Sequence, residues 1–303
     1  MVDVISAGTI GLDDIETPFG KAKDTLGGSG VYSSYAASFF ATPGLVSIAG
    51  EDFPKKYIDE LRKRGISLEG VEIKGKNFRW EGSYEFDMNE AKTLKTELNS
   101  LIEFNPELPD SFKNAKYVFL ANVDPEIQLK VIDQVDSPEL IVMDTMNFWI
   151  SQKKKKLEEV MKRSDVIIMN DAEARQFFNT VNLVKAANSA LEFAKKAVII
   201  KKGEHGALLF VKENGKIKHF NAPGYPLEVV KDPTGCGDSF GGGFIGYLAK
   251  TKNLSDASLR KAVVYGSVIA SFNAEDFSLE RLRKLTMPEI EKRFNEMKEI
   301  REF

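Results

Sequence analysis

Two aspartates, Asp232 and Asp238, bracket the segment "DPTGCGD", and six glycines fall within the fifteen residues from Asp232 to Gly246. Glycine loses more conformational freedom on folding than any other residue, so this density needs an offsetting reason, and close approach of the backbone to a ligand is one. The strand-like "LEVV" precedes the motif and the apolar, helix-length "SFGGGFIGYLAK" follows it, which gives the order strand, glycine turn, helix. Successive amides of Gly235, Cys236 and Gly237 would then stand at a helix N-terminus, where unpaired donors and the helix dipole make an anion site. A carboxylate beside an anion is repulsive unless it has a chemical task. As a general base, Asp238 would take the proton of an attacking hydroxyl while the turn stabilises charge on a transferring phosphoryl group. As an ordinary helix cap it would only satisfy an amide, and the local sequence weighs the two roles about equally. Cys236 reads as a small residue filling a tight turn, because only two histidines, His205 and His219, are available to activate a thiol.

Two other glycine patterns compete for a ligand. "GVEIKGKN", Gly70 to Asn77, approaches a phosphate loop, but Asn replaces the magnesium-binding hydroxyl and a hairpin pattern follows where a helix should start. "GGGFIG", Gly241 to Gly246, fits a dinucleotide fingerprint in letters alone, since ten residues separate it from the nearest strand-like run. Those glycines read as close helix packing.

The elements that must carry these residues alternate in kind. Short apolar runs ("DVISAG", "LVSIAG", "YVFLA", "LIVMD", "DVIIM", "AVIIK", "ALLFV") are separated by helix-period stretches such as "PKKYIDELRKRG" and "LVKAANSALEFAKK". That rhythm predicts an α/β chain with a mainly parallel sheet covered by helices. Residues 72–94 break it with strand-like alternation around turn signals, which predicts antiparallel hairpins forming a small lid. The 303 residues carry 43% hydrophobic and 29% charged side chains and a net charge of -3, which offers nothing to attract nucleic acid. No apolar run reaches the length of a membrane span, and the N-terminus lacks the pattern of a signal peptide, so the expectation is a cytoplasmic protein with no membrane partner. A single cysteine excludes an internal disulfide, and two histidines leave no zinc-type cluster, so any metal must take oxygen ligands.

The segment "DPTGCGDSFGGGFIGYLA" resembles the C-terminal signature of the ribokinase-like (PfkB) family of sugar and nucleoside kinases, and the likeness extends over most of the chain. It implies a single domain over 1–303, a three-layer α/β/α fold with a mainly parallel central sheet, and a small discontinuous β lid from about 11–26 and 72–104. "NDAE" matches the family's Asn-x-x-Glu motif, which implies that Asn170 and Glu173 organise magnesium and phosphate, Glu173 through water; a helix cap with a first-turn acid is the plain alternative. "IIKKGEHGALLF" is similar to the family's nucleotide-proximal strand and turn, placing Lys201, Gly203 and Gly206 at ATP-facing positions, although a hairpin turn also explains the glycines. "VVYGSVIASFNAEDFSLERL" aligns Gly266 closest to the adenine. At the other end, "GTIGLDD" places the substrate-binding aspartate at Asp13, and "GGSGVYSSYAA" implies acceptor contacts from Gly27, Gly28 and Ser29. Tyr32 stands where ribokinases carry a sugar-binding asparagine, which speaks against ribose. In the lid, Arg79, Trp80 and Tyr84 could close over a substrate, and stacking of Tyr32 or Trp80 on a base would mark a nucleoside kinase.

The resemblance therefore implies an ATP-dependent kinase acting on a hydroxyl of a sugar or polyol, with Asp238 as base, the turn at Gly235, Cys236 and Gly237 holding the phosphoryl group, and Mg2+ as cofactor. Asp232 could hold a monovalent cation such as K+, as in some members. The alternatives are a nucleoside kinase similar to adenosine kinase and a catalytically silent binding protein; the intact "GCGD" argues against the second. An exposed lid sheet needs a cover, so a homodimer through the lid is expected.

Overall fold

The computed structural model describes residues 2–213 and 215–302. Its strands in chain order are β1 (Val4–Ala7), β2 (Gly11–Thr17), β3 (Gly20–Gly27), β4 (Pro43–Ala49), β5 (Ser67–Ile73), β6 (Phe78–Ser83) and β7 (Lys92–Glu97), then β8 (Tyr117–Leu120), β9 (Leu140–Met143), β10 (Val166–Asn170), β11 (Ala197–Lys201), β12 (Ala207–Glu213) and β13 (Lys216–Ala222). Nine of them form one sheet in the order β13-β12-β11-β10-β9-β8-β1-β4-β5. Neighbours from β11 through β5 run parallel, and β12 and β13 add an antiparallel edge.

Strands buried on both faces read as unbroken apolar runs, which is why "LIVM" and "VIIM" were visible as strands. Alternate side chains feed two separate cores. Val142, Ile168 and Ile199 pack with the helices Cys236–Thr251 and Asp256–Asn273, whereas Met143, Ile167 and Val198 pack with the helices Pro125–Ile132, Lys154–Arg163 and Leu183–Ala190. The result is three layers, helices on both sides of a mainly parallel sheet. Chain order reverses between β8 and β1, so the loops after these two strands open the crevice where ligands of such sheets bind.

The glycines after Asp238 lie within the helix Cys236–Thr251, where a Cβ on Gly241, Gly242 or Gly246 would meet Phe119, the Ser33 carbonyl or Ala37. Close packing accounts for them. One expected strand is absent: Leu227–Val230 forms no ladder. The chain there is irregular, and the amides of Lys231 and Asp232 bond the Ala274 carbonyl beyond the helix Asp256–Asn273.

The lid is a four-stranded sheet, β3-β2-β6-β7. The β6–β7 pair is antiparallel as expected, but β2 and β6 run parallel, and Glu72 and Ile73 belong to β5 of the large sheet. Paired neighbours share a face and successive residues alternate. Asp13 is opposite Trp80, and Leu12 is opposite Arg79, so Arg79 falls on the face away from Asp13. That second face carries Asp14, Arg79, Glu81, Lys95 and Glu97 around a cleft of about 280 Å³. Leu12 and Trp80 also line this cleft, so charged side chains stand beside two apolar ones.

Candidate active site

The motif folds as a left-handed step into a helix. Gly235 caps the helix Cys236–Thr251 with φ of 74°, and a Cβ there would overlap the Tyr32 ring beneath it. Only glycine meets both conditions. Asp232 is fully buried and ties the turn from below, its Oδ1 accepting the Thr234 amide at 2.9 Å and its Oδ2 the Ser278 amide at 2.9 Å. Both oxygens of the expected cation ligand therefore serve the turn. Of the three expected anion-binding amides, Cys236 is engaged, donating to the Pro233 carbonyl at 3.1 Å. The Gly235 and Gly237 amides have no such partner among the described residues. The Cys236 thiol sits 3.4 Å from the Ala270 carbonyl, and burial pushes it up to about 12, so it stays protonated and is no nucleophile.

Asp238 occupies the first turn of this helix, half-buried. Its carboxyl is pushed up to about 7 by loss of solvent first and then by the nearby Asp144 charge, against the opposing pull of Lys201. That value suits a base working near neutrality. Lys201, the last residue of β11, bonds Asp144 at 2.6 Å, and its Nζ lies 3.0 Å from where a Cβ on Gly237 would be. The missing side chain at Gly237 lets the ammonium come alongside the turn. Of the three ammonium donors, Asp144 takes one. Asp144 follows β9 and is 2% exposed, with Oδ1 accepting the Thr145 amide at 2.9 Å. Sequence reasoning missed it, although "LIVMD" ends on an aspartate at the carboxyl end of a parallel strand, where ligand-handling groups collect.

Asn170 and Glu173 form a reciprocal cap at the start of the helix Asp171–Phe178: Asn170 Oδ1 accepts the Glu173 amide at 2.8 Å, and Glu173 accepts the Asn170 amide at 2.7 Å. Glu173 is buried and held above the usual carboxylate range by loss of solvent, with Asp144 and Asp238 adding to the effect. Gly203 and Gly206 shape the turn joining β11 to β12, with the Lys202 amide bonding the Gly206 carbonyl at 2.7 Å. The hairpin explanation for these glycines is thus realised. Gly266 is buried where the helices Cys236–Thr251 and Asp256–Asn273 cross, its Cα near Gly243 and any Cβ near the Phe240 carbonyl. It packs helices rather than facing a base, a correction to its expected role.

On the other side of the turn, Asp13 is 3% exposed and pressed over Gly27, where a Cβ would overlap its carboxylate. Burial first, then the charges of Asp232 and Asp238, push it up to about 8. Ser29 opens the helix Ser29–Ala37, but its hydroxyl is committed to the Asn122 carbonyl at 2.7 Å and the Thr9 amide at 3.1 Å. Tyr32 is 1% exposed, and its hydroxyl neighbours Ser278 without reaching hydrogen-bonding geometry. It forms the floor under Gly235 and cannot stack on a ligand. Arg79 pairs with Asp24 at 2.6 Å on the far lid face, so it too leaves the expected substrate set. Trp80 shares Asp13's face of the lid. A second indole went unnoticed in the sequence: half-buried Trp149 donates to Asn122 Oδ1 at 3.0 Å, beside the residue that anchors Ser29. A surface groove of about 610 Å³, with Glu126, Lys130, Lys156 and Arg163 among its lining, includes none of these residues.

Carboxyls raised to about 8 at Asp13 and about 7 at Asp238 make the folded state bind protons that the unfolded chain has released above about pH 4. Their contribution is full at low pH and fades as pH rises to about 8. The melting temperature of the ligand-free protein should therefore fall between pH 5 and pH 8, and Asp13→Asn should flatten that slope. Thermal melts across this window showing a rise, or no change of slope in the variant, would contradict the reading.

Residues 18–281 match the pfkB family carbohydrate kinase profile. A cytidine kinase of Thermococcus kodakarensis is 27% identical over 261 residues, spanning 84% of this chain and 92% of that protein. Among solved structures, a nucleoside kinase of Methanocaldococcus jannaschii superposes with a TM-score of 0.77 at 22% identity, covering 97% of this chain and 98% of that one. The nucleoside kinase of Burkholderia thailandensis, determined in complex with ADP-inosine, gives 0.79 at 19%, covering 97% and 95%. The structural likenesses establish the ribokinase-like fold, and the match across 18–281 establishes the family. The chain belongs to the PfkB family of carbohydrate kinases, phosphotransferases whose acceptor is an alcohol group.

Proposed function

We propose that this kinase transfers the γ-phosphoryl group of ATP to a hydroxyl of a nucleoside, with Asp238 as general base. The observation that carries the mechanism is the company Asp238 keeps: a carboxyl raised to about 7, in the same helical turn as the free Gly237 amide and beside the Lys201 ammonium. A hydroxyl arriving from the Asp13 side would give its proton to Asp238 as its oxygen attacks the terminal phosphorus, while the bond from that phosphorus to the bridging oxygen breaks and ADP leaves. The Gly235 and Gly237 amides and Lys201 then face the charge that develops on the phosphoryl oxygens. Asp13 orients the acceptor by accepting from its hydroxyls.

Magnesium fits this donor set without a dedicated cage. No group of three or more His, Cys, Asp or Glu suited to a metal occurs among the described residues, and Mg2+ commonly keeps its waters and binds through one or two carboxylates plus substrate phosphates. Buried Glu173, whose two oxygens accept the Asn170 amide and Nδ2, would meet the ion through water. When bound, the ion would neutralise phosphate charge.

A nucleoside is favoured over a plain sugar or polyol by the relative named cytidine kinase and by the two indoles, Trp80 and Trp149, since a nucleobase stacks on aromatic faces. The test is a phosphoryl-transfer assay with ATP and separate acceptors: cytidine, inosine, ribose and a polyol. Transfer to a nucleoside well above transfer to ribose is expected. Transfer to the sugar or polyol alone would return the sugar reading, and ATP binding without transfer to any alcohol would overturn the proposal.

A further inference from the structure

The lid does more than cover the acceptor, because the loop leaving β6 reaches both substrate halves of the cleft. Tyr84, 9% exposed and bonded through its amide to the Glu16 carbonyl of β2, brings its hydroxyl to Thr234 Oγ1 at 3.2 Å, within the motif that caps the Cys236–Thr251 helix. Five residues further on, Asn89 Oδ1 accepts the Glu204 amide at 3.3 Å. It also lies against Gly203, where a Cβ would overlap it and where φ is 54°. The Asp87 carboxylate holds Asn89 in this pose, accepting its amide at 2.9 Å and its Nδ2 at 3.1 Å. One short strap thus runs from the Asp232–Asp238 turn to the β11–β12 turn.

Resting on the kinase reading above and on the ATP-facing place that the family resemblance implies for Gly203, we propose that Asn89 is a positioning residue that clasps the lid to the nucleotide side of the cleft. Its single acceptor oxygen couples lid closure to the Gly203–His205 turn. The bare Cα of Gly203 is what allows the clasp. A closed strap excludes water from the phosphoryl group, so its loss opens a path to hydrolysis.

The test compares wild type with Asn89→Ala, Asn89→Leu and Asn89→Asp, using ATP, the best acceptor found for the wild type, and ATP alone. A lost hydrogen bond is worth roughly 3–10-fold. The alanine and leucine variants should raise the KM for ATP by about that factor and raise acceptor-independent ATP hydrolysis relative to transfer, with unchanged melting temperature. Asn89→Asp keeps an acceptor oxygen but loses the donor that bonds the Asp87 carboxylate and faces its charge, so it should restore only part of both. Unchanged KM for ATP and an unchanged hydrolysis-to-transfer ratio in both the alanine and leucine variants would overturn the clasp, as would a change confined to the acceptor KM. A wild type with no transfer activity would instead defeat the kinase assignment, so the two failures are distinguishable.

Discussion

Asp238→Asn should lower kcat by about 10²–10⁴-fold while leaving ATP binding and melting temperature close to wild type. The change is nearly isosteric and keeps an oxygen that can cap the helix, so an account in which Asp238 only caps predicts almost no effect. The donors proposed to hold the phosphoryl group are the Gly235 and Gly237 amides and Lys201, none of which the substitution touches. ATP affinity should even improve slightly, because a carboxylate that would face the phosphates is gone. Measurement of kcat, ATP affinity and melting temperature on the same preparations separates loss of chemistry from loss of fold.

Lys201→Met is expected to produce the second large loss, about 10²–10³-fold in kcat, since it removes a fixed positive charge from beside the developing phosphoryl charge. The substitution also leaves Asp144, 2% exposed, without its cation, and an uncompensated buried charge destabilises a fold by about 3–5 kcal/mol. Adding Asp144→Asn removes that charge. The double variant should therefore regain much of the melting temperature and none of the rate. A double variant with near wild-type kcat would show that the ion pair is structural and that the phosphoryl group is held without Lys201.

The sequence exposed those parts of this site that sit close together along the chain. The turn from Asp232 to Asp238 and the Asn170–Glu173 cap are local patterns with local physics, and both stand where the spacing put them. The buried strands were equally plain, because a two-faced core demands unbroken apolar runs. "LEVV" carries the same β-branched signal but pairs with no strand, and strand propensity counts only where a partner exists. Arg79 was misplaced by a single step of alternation: one residue of register moves a side chain to the opposite face, and register is set by pairing that no short window contains. Tyr32 was read as a ligand contact from its place in a motif, yet the left-handed turn at Gly235 settles on its ring and buries it. Asp144, Trp149 and Asn89 act through partners 57, 27 and 115 residues away, and only the fold brings those together.

The pH dependence of kcat/KM for wild type and Asp238→Asn tests most directly whether Asp238 is the base. The free enzyme's base sets the rising limb of that profile. With Asp238 at about 7, the wild type should climb roughly tenfold per pH unit below this value and level off above it. Asp238→Asn should lie far below at every pH and lack the limb. An Asp238→Asn profile that keeps the same limb near pH 7 at near wild-type height would contradict the account and move the base to another residue.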